Sequence, residues 1–217
     1  MNFIQRQNVS TNTEYWNGFY KSNEMAKEIN TPSQFAAFCI GEMRLNGISL
    51  VYDLGCGNGR DTKFFIEQDC DVIAFDASVI AIQKTMNQCG PNSRLSAQVT
   101  DFAEPQVKWP NSSKKKKALY ARFLIHSLSD EALKTFITKC EYCMNAGDLA
   151  FFEYRTTEDK SRFKEAPNHY RNFVDPNFIE KHASKNGLIL KYSVQGLGFA
   201  KYRDDDAFVA RQIFYKK

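Results

Sequence analysis

The stretch "VYDLGCGNGRDTKFF" sets three glycines in a five-residue loop, Gly55-Cys56-Gly57-Asn58-Gly59, with Asp53 just ahead of it. Glycines let a backbone come close to a ligand, and the free N–H groups of a following helix point at it. Asp76 closes the next apolar run, 21 residues after Gly55, near the spacing at which a carboxylate meets a ribose diol. A dinucleotide loop of the form GxGxxG requires glycine where Arg60 stands. A carboxylate ahead of the loop would also repel a pyrophosphate, whereas it suits an ammonium or a sulfonium.

Groups able to move protons or hold anions are few. The sequence has three histidines, His126, His169 and His182. His126 follows the fourth strand-like run, and His169 sits in "NHYRNF" beside Tyr170 and Arg171. Either imidazole could take a proton from a hydroxyl acceptor, and either could be an ordinary packed side chain. His182 falls within a helical run and reads as structural. Arg122 and Arg155 end strand-like runs, and planar guanidinium groups suit phosphate or carboxylate. The plainer alternative pairs Arg155 with a neighbouring glutamate and leaves Arg171 solvated. Convergence of two of the three arginines would mark an anionic acceptor. Of six cysteines, Cys140 and Cys143 form the one CxxC. No second ligand pair accompanies them, so packed thiols are expected and no metal.

These groups need a scaffold. Tyr15, Trp16, Phe19 and Tyr20 recur at helical spacing. Thr31-Pro32 is expected to open a second helix, with Thr31 as cap, and Asn46-Gly47 to close it. Seven strand-like runs follow: "SLVYDLGC", "DVIAFDAS", "RLSAQVTDF", "KALYARFLI", "DLAFFEYRT", "LILKYSVQG" and "AFVARQIFY". Helical runs separate the early ones: residues 60–69, a stretch with Val79, Ile82 and Met86 on one side, and another carrying Leu133, Phe136, Ile137, Cys140 and Met144. Asp175-Pro176 opens a further helix, closed by Asn186-Gly187. Such alternation indicates an α/β fold with a doubly wound, mostly parallel sheet, and the last two runs could pair antiparallel. Residues 1–47 form a helical prelude, and residues 156–174 a polar and aromatic insertion into the α/β region 48–217. The run Lys114–Lys117 reads as a solvated loop.

At 217 residues, one domain is expected. With 43% hydrophobic and 25% charged residues, the composition is that of an ordinary globular protein. A net charge of +4 fits an anionic ligand and is too weak to argue for nucleic acid. No signal-like N-terminus or membrane-length apolar run is visible, so a cytoplasmic protein is expected.

"VYDLGCGNGRD" resembles the first motif of class I S-adenosylmethionine-dependent methyltransferases, an acidic residue followed by GxGxG. "AFDAS" is similar to their ribose-binding acidic station, "VTDF" to the adenine station, and "ARFLIHSL" to the end of strand four. The resemblance covers roughly residues 48–155, in order and in register. It implies a seven-stranded Rossmann-like fold with a final antiparallel strand. S-adenosylmethionine would be the cofactor, held by Asp53, Gly55, Cys56, Gly57, Asn58, Gly59, Asp76, Ala77, Asp101, Phe102, Arg122 and Phe123. Asp53 could instead only organise the loop, Asp76 cap the following helix, Asp101 be a turn residue and Phe102 plain core. An O-methyltransferase would draw on His126 or His169 as base. Tyr15, Tyr20, Arg155, Tyr170 and Arg171 would meet the acceptor. A narrower similarity joins "YWNGFY", "TPSQFAAF", "HYRNFV" and "GLGFAKYRDDDAFVARQI" to methyltransferases of bacterial surface-polysaccharide (capsule) gene clusters. It implies a small, sugar- or phosphate-linked acceptor. The loop is similar to tellurite-resistance methyltransferases as well. A non-catalytic cofactor-binding subunit and a nicotinamide oxidoreductase are the competing classes. The tetrapeptide of base-modifying amine methyltransferases is missing after strand four, so a nucleic-acid substrate is not expected.

Overall fold

A computed structural model of the chain describes residues 13–22, 30–104, 106, 109, 115–165 and 169–217. Helix α1 spans residues 13–21, and α2 spans Gln34–Leu45. Strands and helices then alternate: β1 (Leu50–Leu54), α3 (Arg60–Glu67), β2 (Asp71–Asp76), α4 (Val79–Cys89) and β3 (Leu95–Val99). After β4 (Lys117–Arg122) come α5 (Asp130–Cys143), β5 (Leu149–Arg155), α6 (Pro176–Lys185), β6 (Leu188–Gly196) and β7 (Val209–Lys216).

The described strands form one seven-stranded sheet in the order β3-β2-β1-β4-β5-β7-β6. Strands β1 to β5 run parallel, while β7 lies antiparallel between β5 and β6. Chain order reverses between β1 and β4, and it is beside such a reversal that a crevice opens at the carboxyl ends of the strands. Alternation within the central strands sorts their side chains onto two faces. Leu50, Tyr52, Leu119 and Ala121 join the core with Phe136 and Ile137 of α5 and Ile179 of α6. Val51, Ala118 and Tyr120 join the other with Phe35 and Met43 of α2 and Phe65 of α3. Cys140 and Cys143 are buried in packing, both as free thiols.

Three local expectations change. The cap of α2 is Ser33, two residues past Thr31, because its Oγ accepts from Ala36 N while Asp61 holds the hydroxyl in place. On α4 the buried residues are Ala81, Ile82 and Thr85, whereas Val79 and Met86 are exposed. The reason is the glycine loop: Thr85 Oγ1 donates to Gly57 O at 3.1 Å, so this helix turns its small residues inward. Lys117 is no loop residue either. It opens β4 fully buried, with Nζ 2.6 Å from Asp148 Oδ2. The same aspartate accepts from Lys117 N and Asn145 N. Lys115 pairs with Asp71, and Lys114 lies outside the described residues, as does much of the prelude. No described helix is long and apolar enough to cross a membrane.

Removing one partner of a buried ion pair leaves the other charge uncompensated. Asp148→Ala should therefore lower stability by about 3–5 kcal/mol, read as the denaturant midpoint and slope. A change under about 1 kcal/mol would mean that Lys117 finds other solvation.

Candidate active site

Strand β1 delivers Asp53, and the chain then turns sharply into α3. Gly57 and Gly59 both have positive φ, +61° and +84°. A Cβ on Gly59 would lie 2.7 Å from the Thr85 backbone, and one on Gly57 would lie 2.7 Å from the Tyr20 hydroxyl. Neither position admits a side chain, so the loop can lie tight between α4 and α1.

Two carboxylates frame this loop. Asp76 ends β2, where Oδ2 accepts from Gly57 N at 3.0 Å and Oδ1 from Ser78 N at 2.9 Å. Burial outweighs those two bonds and raises its carboxyl to about 6. Asp53 accepts from Thr62 Oγ1 at 2.6 Å. Burial lifts it to about 7, against the pull of that hydroxyl. Cys56 packs on Thr85, its thiol pushed well up by burial, and is no nucleophile at neutral pH.

Asp53, Gly55, Cys56, Gly57 and Asp76 open onto a cavity of about 420 Å³, lined also by Asn58, Arg60, Asp61, Ala77, Asp101 and Phe102. Gly59 packs on Thr85 and does not line it. That volume is within the range of small-molecule sites. Asp101 plays a local part: Oδ1 accepts from Ala103 N and Oδ2 from Thr13 Oγ1. Phe102 is buried against Phe75, Trp109 and Phe136 while also lining the cavity.

Helix α1 lies across the opening. Thr13 reaches Asp101, Asn17 accepts from Ser78 Oγ at 2.7 Å, and Tyr20 meets the glycine loop. Tyr15 stacks on His169, with its hydroxyl 3.2 Å from Nδ1. The prelude and the insertion thus meet over the cavity, as residues 88 and 154 positions apart in sequence touch.

The other end of the cavity is built on arginine. Phe123 follows β4 with φ of 59°, an uncommon conformation for a bulky residue. Its N–H donates to Glu153 O, and its ring lies 4.4 Å from the Arg122 guanidinium and 5.4 Å from that of Arg155. Arg122 Nε donates to Glu153 at 2.8 Å, and Arg211 Nε takes the second oxygen at 2.7 Å. Burial alone would lower the Arg122 guanidinium, but the Glu153 carboxylate holds it raised. Arg155 donates to Asp159 and Asp205, each at 2.7 Å. Its partners are thus two aspartates, not the glutamate considered from sequence. Arg171 lines the same cavity, its guanidinium lowered by burial and then by Arg155. Tyr170 is half exposed at its rim.

His126 is buried between these arginines. Burial first, then Arg155, His169, Arg171 and Arg122, hold its imidazole well below the usual histidine range. Nδ1 accepts from Arg155 N at 3.4 Å, which assigns the ring proton to Nε2. His182 Nδ1 donates locally to Phe178 O at 2.9 Å, and the residue does not line the cavity.

Several lining groups carried no signal of their own in the sequence. Arg60, Asp61 and Tyr120 line the cavity from α3 and β4, and only the "GRD" after the loop hinted at the first two. Ala200, Lys201, Tyr202 and Asp205 come from the connection between β6 and β7. Its "YRDDD" run enters the sequence reading only within the longer segment similar to surface-polysaccharide methyltransferases, with no role given to its residues.

Residues 51–147 match the family model of a methyltransferase domain. A comparison with curated proteins finds no match. Among solved structures, an S-adenosylmethionine-dependent methyltransferase from Anabaena variabilis is similar with a TM-score of 0.72 and 16% identity, over 96% of this chain and 95% of that one. Magnesium protoporphyrin IX methyltransferase from Synechocystis, solved with bound S-adenosylmethionine, gives 0.70 and 12%, over 97% of each chain. A TehB-like methyltransferase from Corynebacterium glutamicum gives 0.66 and 16%, over 96% of this chain and 100% of that one. The fold is therefore that of the S-adenosylmethionine-dependent methyltransferases, and S-adenosylmethionine is the cofactor expected in it. The donor set fits: Asp76 can accept from a ribose diol, and Asp53 can face an ammonium or sulfonium.

Both carboxyls hold their protons above the ordinary aspartate value of 3.8 when folded. These two groups therefore bind more protons in the folded than in the unfolded chain between about pH 4 and about pH 7, and their contribution to stability falls as pH rises through that window. His126, held neutral when folded, acts in the opposite sense below its ordinary 6.5. A cationic ligand with hydroxyl donors favours the ionised forms, so its binding should release protons. Calorimetry of S-adenosylhomocysteine in buffers of different ionisation enthalpy should show net proton release near pH 6, with affinity rising toward pH 8. Equal heats in all buffers would mean that neither aspartate titrates on binding.

Proposed function

We propose that this chain, with its methyltransferase domain at residues 51–147, transfers a methyl group from S-adenosylmethionine to a small anionic acceptor. The observation that carries this is one cavity joining the Asp53–Asp76 glycine loop to a cluster of Arg122, Arg155 and Arg171. Bound S-adenosylmethionine supplies an activated methyl for in-line displacement. The protein's part is then to bind, orient, exclude water and accept a proton.

In this reading Asp76 takes the ribose hydroxyls, while Asp53 favours the cationic end. Gly55, Cys56, Gly57 and Asn58 present backbone to it, while Gly59 lets the loop pack on Thr85. Ala77, Asp101 and Phe102 flank the base, while Arg122 and Phe123 bound the methyl-transfer end. Tyr170 borders the acceptor at the rim, Tyr15 reaches that end through His169, Tyr20 closes on the glycine loop, and α1 excludes water from the cavity.

The two histidines differ in fitness as base. His126, neutral with its proton on Nε2, has a donor and a weak base to offer. His169 can donate Nδ1–H to the Tyr15 oxygen, which leaves Nε2 the lone pair a base needs. His169 is therefore the base we assign for a hydroxyl acceptor, and His126 a hydrogen-bond donor beside it. The net charge at this end is smaller than its number of cations, since Arg122, Arg155, Arg171, Arg211 and Lys164 face three carboxylates, Glu153, Asp159 and Asp205. One or two anionic oxygens would match it. The sequence likeness to surface-polysaccharide methyltransferases supports a sugar- or phosphate-linked acceptor in capsule biosynthesis, in a single domain working in the cytoplasm.

Labelled methyl transfer into a pool of sugar phosphates tests the reading. His169→Ala should cost about 10²–10⁴-fold in turnover, and His126→Ala less than about tenfold. The reverse order would reassign the base. Intact S-adenosylhomocysteine binding with no transfer to any acceptor would favour a cofactor-binding subunit. Asp76→Ala should weaken S-adenosylhomocysteine binding by about 1–3 kcal/mol through lost charge-assisted hydrogen bonds. Unchanged affinity would take Asp76 off the ribose.

A further inference from the structure

Asp205 lies in the connection between β6 and β7, is 3% exposed, and lines the cavity. Its Oδ2 accepts from Arg155 Nη2 at 2.7 Å and from Glu165 N at 3.1 Å. Its Oδ1 is buried without a hydrogen-bond partner among the described residues. An orphaned buried acceptor is unfavourable by about 1–3 kcal/mol, and such groups are rare enough to need a reason.

Rotation cannot relieve it. The backbone of Asp205 is clamped to Tyr202 by reciprocal bonds of 2.8 and 2.9 Å. Arg155 is fixed at its far side by Asp159, which also takes Lys164 Nζ and Phe208 N. Turning the carboxylate would break the Arg155 and Glu165 bonds for one new contact. The direction of Oδ1 is thus set by the surrounding ion pairs, and Arg171 lies within electrostatic reach of the same carboxylate.

We infer that Asp205 Oδ1 is an acceptor-recognition group, receiving an N–H or O–H of the methyl acceptor next to the anionic group met by Arg171. The substrate class is a small anion carrying a hydroxyl or amine a few bonds from its charge. The inference rests on the reading of this cavity as the acceptor site. Asp205 acts here as a specificity and positioning residue and transfers no proton.

Calorimetric titration of the full chain, saturated with S-adenosylhomocysteine, tests this with inorganic phosphate, glycerol phosphate and glycerol as probes. Glycerol phosphate should bind at least about tenfold more tightly than phosphate, the fold-change of one hydrogen bond to a charged group. In Asp205→Asn the amide oxygen must face Arg155 and Glu165 N, which puts its NH₂ where Oδ1 was. The advantage of glycerol phosphate should then vanish, with S-adenosylhomocysteine binding unchanged and phosphate bound no more weakly, since the substitution removes a negative charge beside Arg155. Equal binding of the two anions to the wild-type chain overturns the inference, whatever the variant does. So does an advantage that survives in Asp205→Asn. A wild-type chain that prefers glycerol phosphate through Asp205 but does not bind S-adenosylhomocysteine sustains this site and overturns the methyltransferase reading instead.

Discussion

Asp61, in the first turn of α3, is the carboxylate on which the architecture of the site depends. One oxygen accepts from Ser33 N at 2.7 Å, and the other from Ser33 Oγ at 2.8 Å and Tyr120 Oη at 2.7 Å. Those three bonds join the start of α2, the start of α3 and the middle of β4. Ser33 meanwhile caps α2, so a single buried charge satisfies the helix entry and fixes the helix that follows the glycine loop. Low local dielectric makes such a network strong when complete and unfavourable when one member is lost. Tyr120 also stacks on Phe35, at 5.3 Å between ring centres, which couples the polar network to the apolar core of that face.

A second set of charges organises the opposite end. Glu153 receives Arg122 and Arg211, one on each oxygen. Arg211 then extends over the rings of Phe35 and Phe199 and donates to Phe199 O. The C-terminal strand thereby ties the β6–β7 connection to the end of β4. Arg155 does the equivalent for the insertion, holding Asp159 and Asp205 together. These arginines are structural before they are anything else, and the field they offer a ligand is what their carboxylates leave over. This is why the number of arginines overstates the positive charge of the cavity.

The two ends of the cavity differ in how far sequence could reveal them. The glycine loop is legible because its requirement is local: backbone space at Gly57 and Gly59, and a carboxylate one strand later. Strand alternation was equally legible, because burial on both faces leaves near-continuous apolar runs such as "LAFFEYR". What stayed hidden depends on distant partners. Lys117 looks like one lysine of a solvated run until Asp148 is brought beside it. Val79 and Met86 look like part of the buried face of α4 beside Ile82, until the loop brings Ala81 and Thr85 inward instead. Asp205 has no role of its own in the sequence until Arg155 arrives from 50 positions away.

That contrast carries a physical consequence for how such a chain can vary. A glycine-loop end made of short-range backbone constraints leaves little room for substitution, since a Cβ at Gly59 would run into the backbone and the side chain of Thr85. The arginine end sets residues that end β4 and β5 against α1, the insertion and the β6–β7 connection, which lie outside the β1–α5 framework. Their side chains meet through bonds such as Tyr15–His169 and Arg155–Asp205, which can be exchanged pairwise without moving a strand. Recognition of the acceptor can therefore change while the sheet and the glycine loop stay fixed. The chemistry of the acceptor has to be read from those pairings and not from the loop.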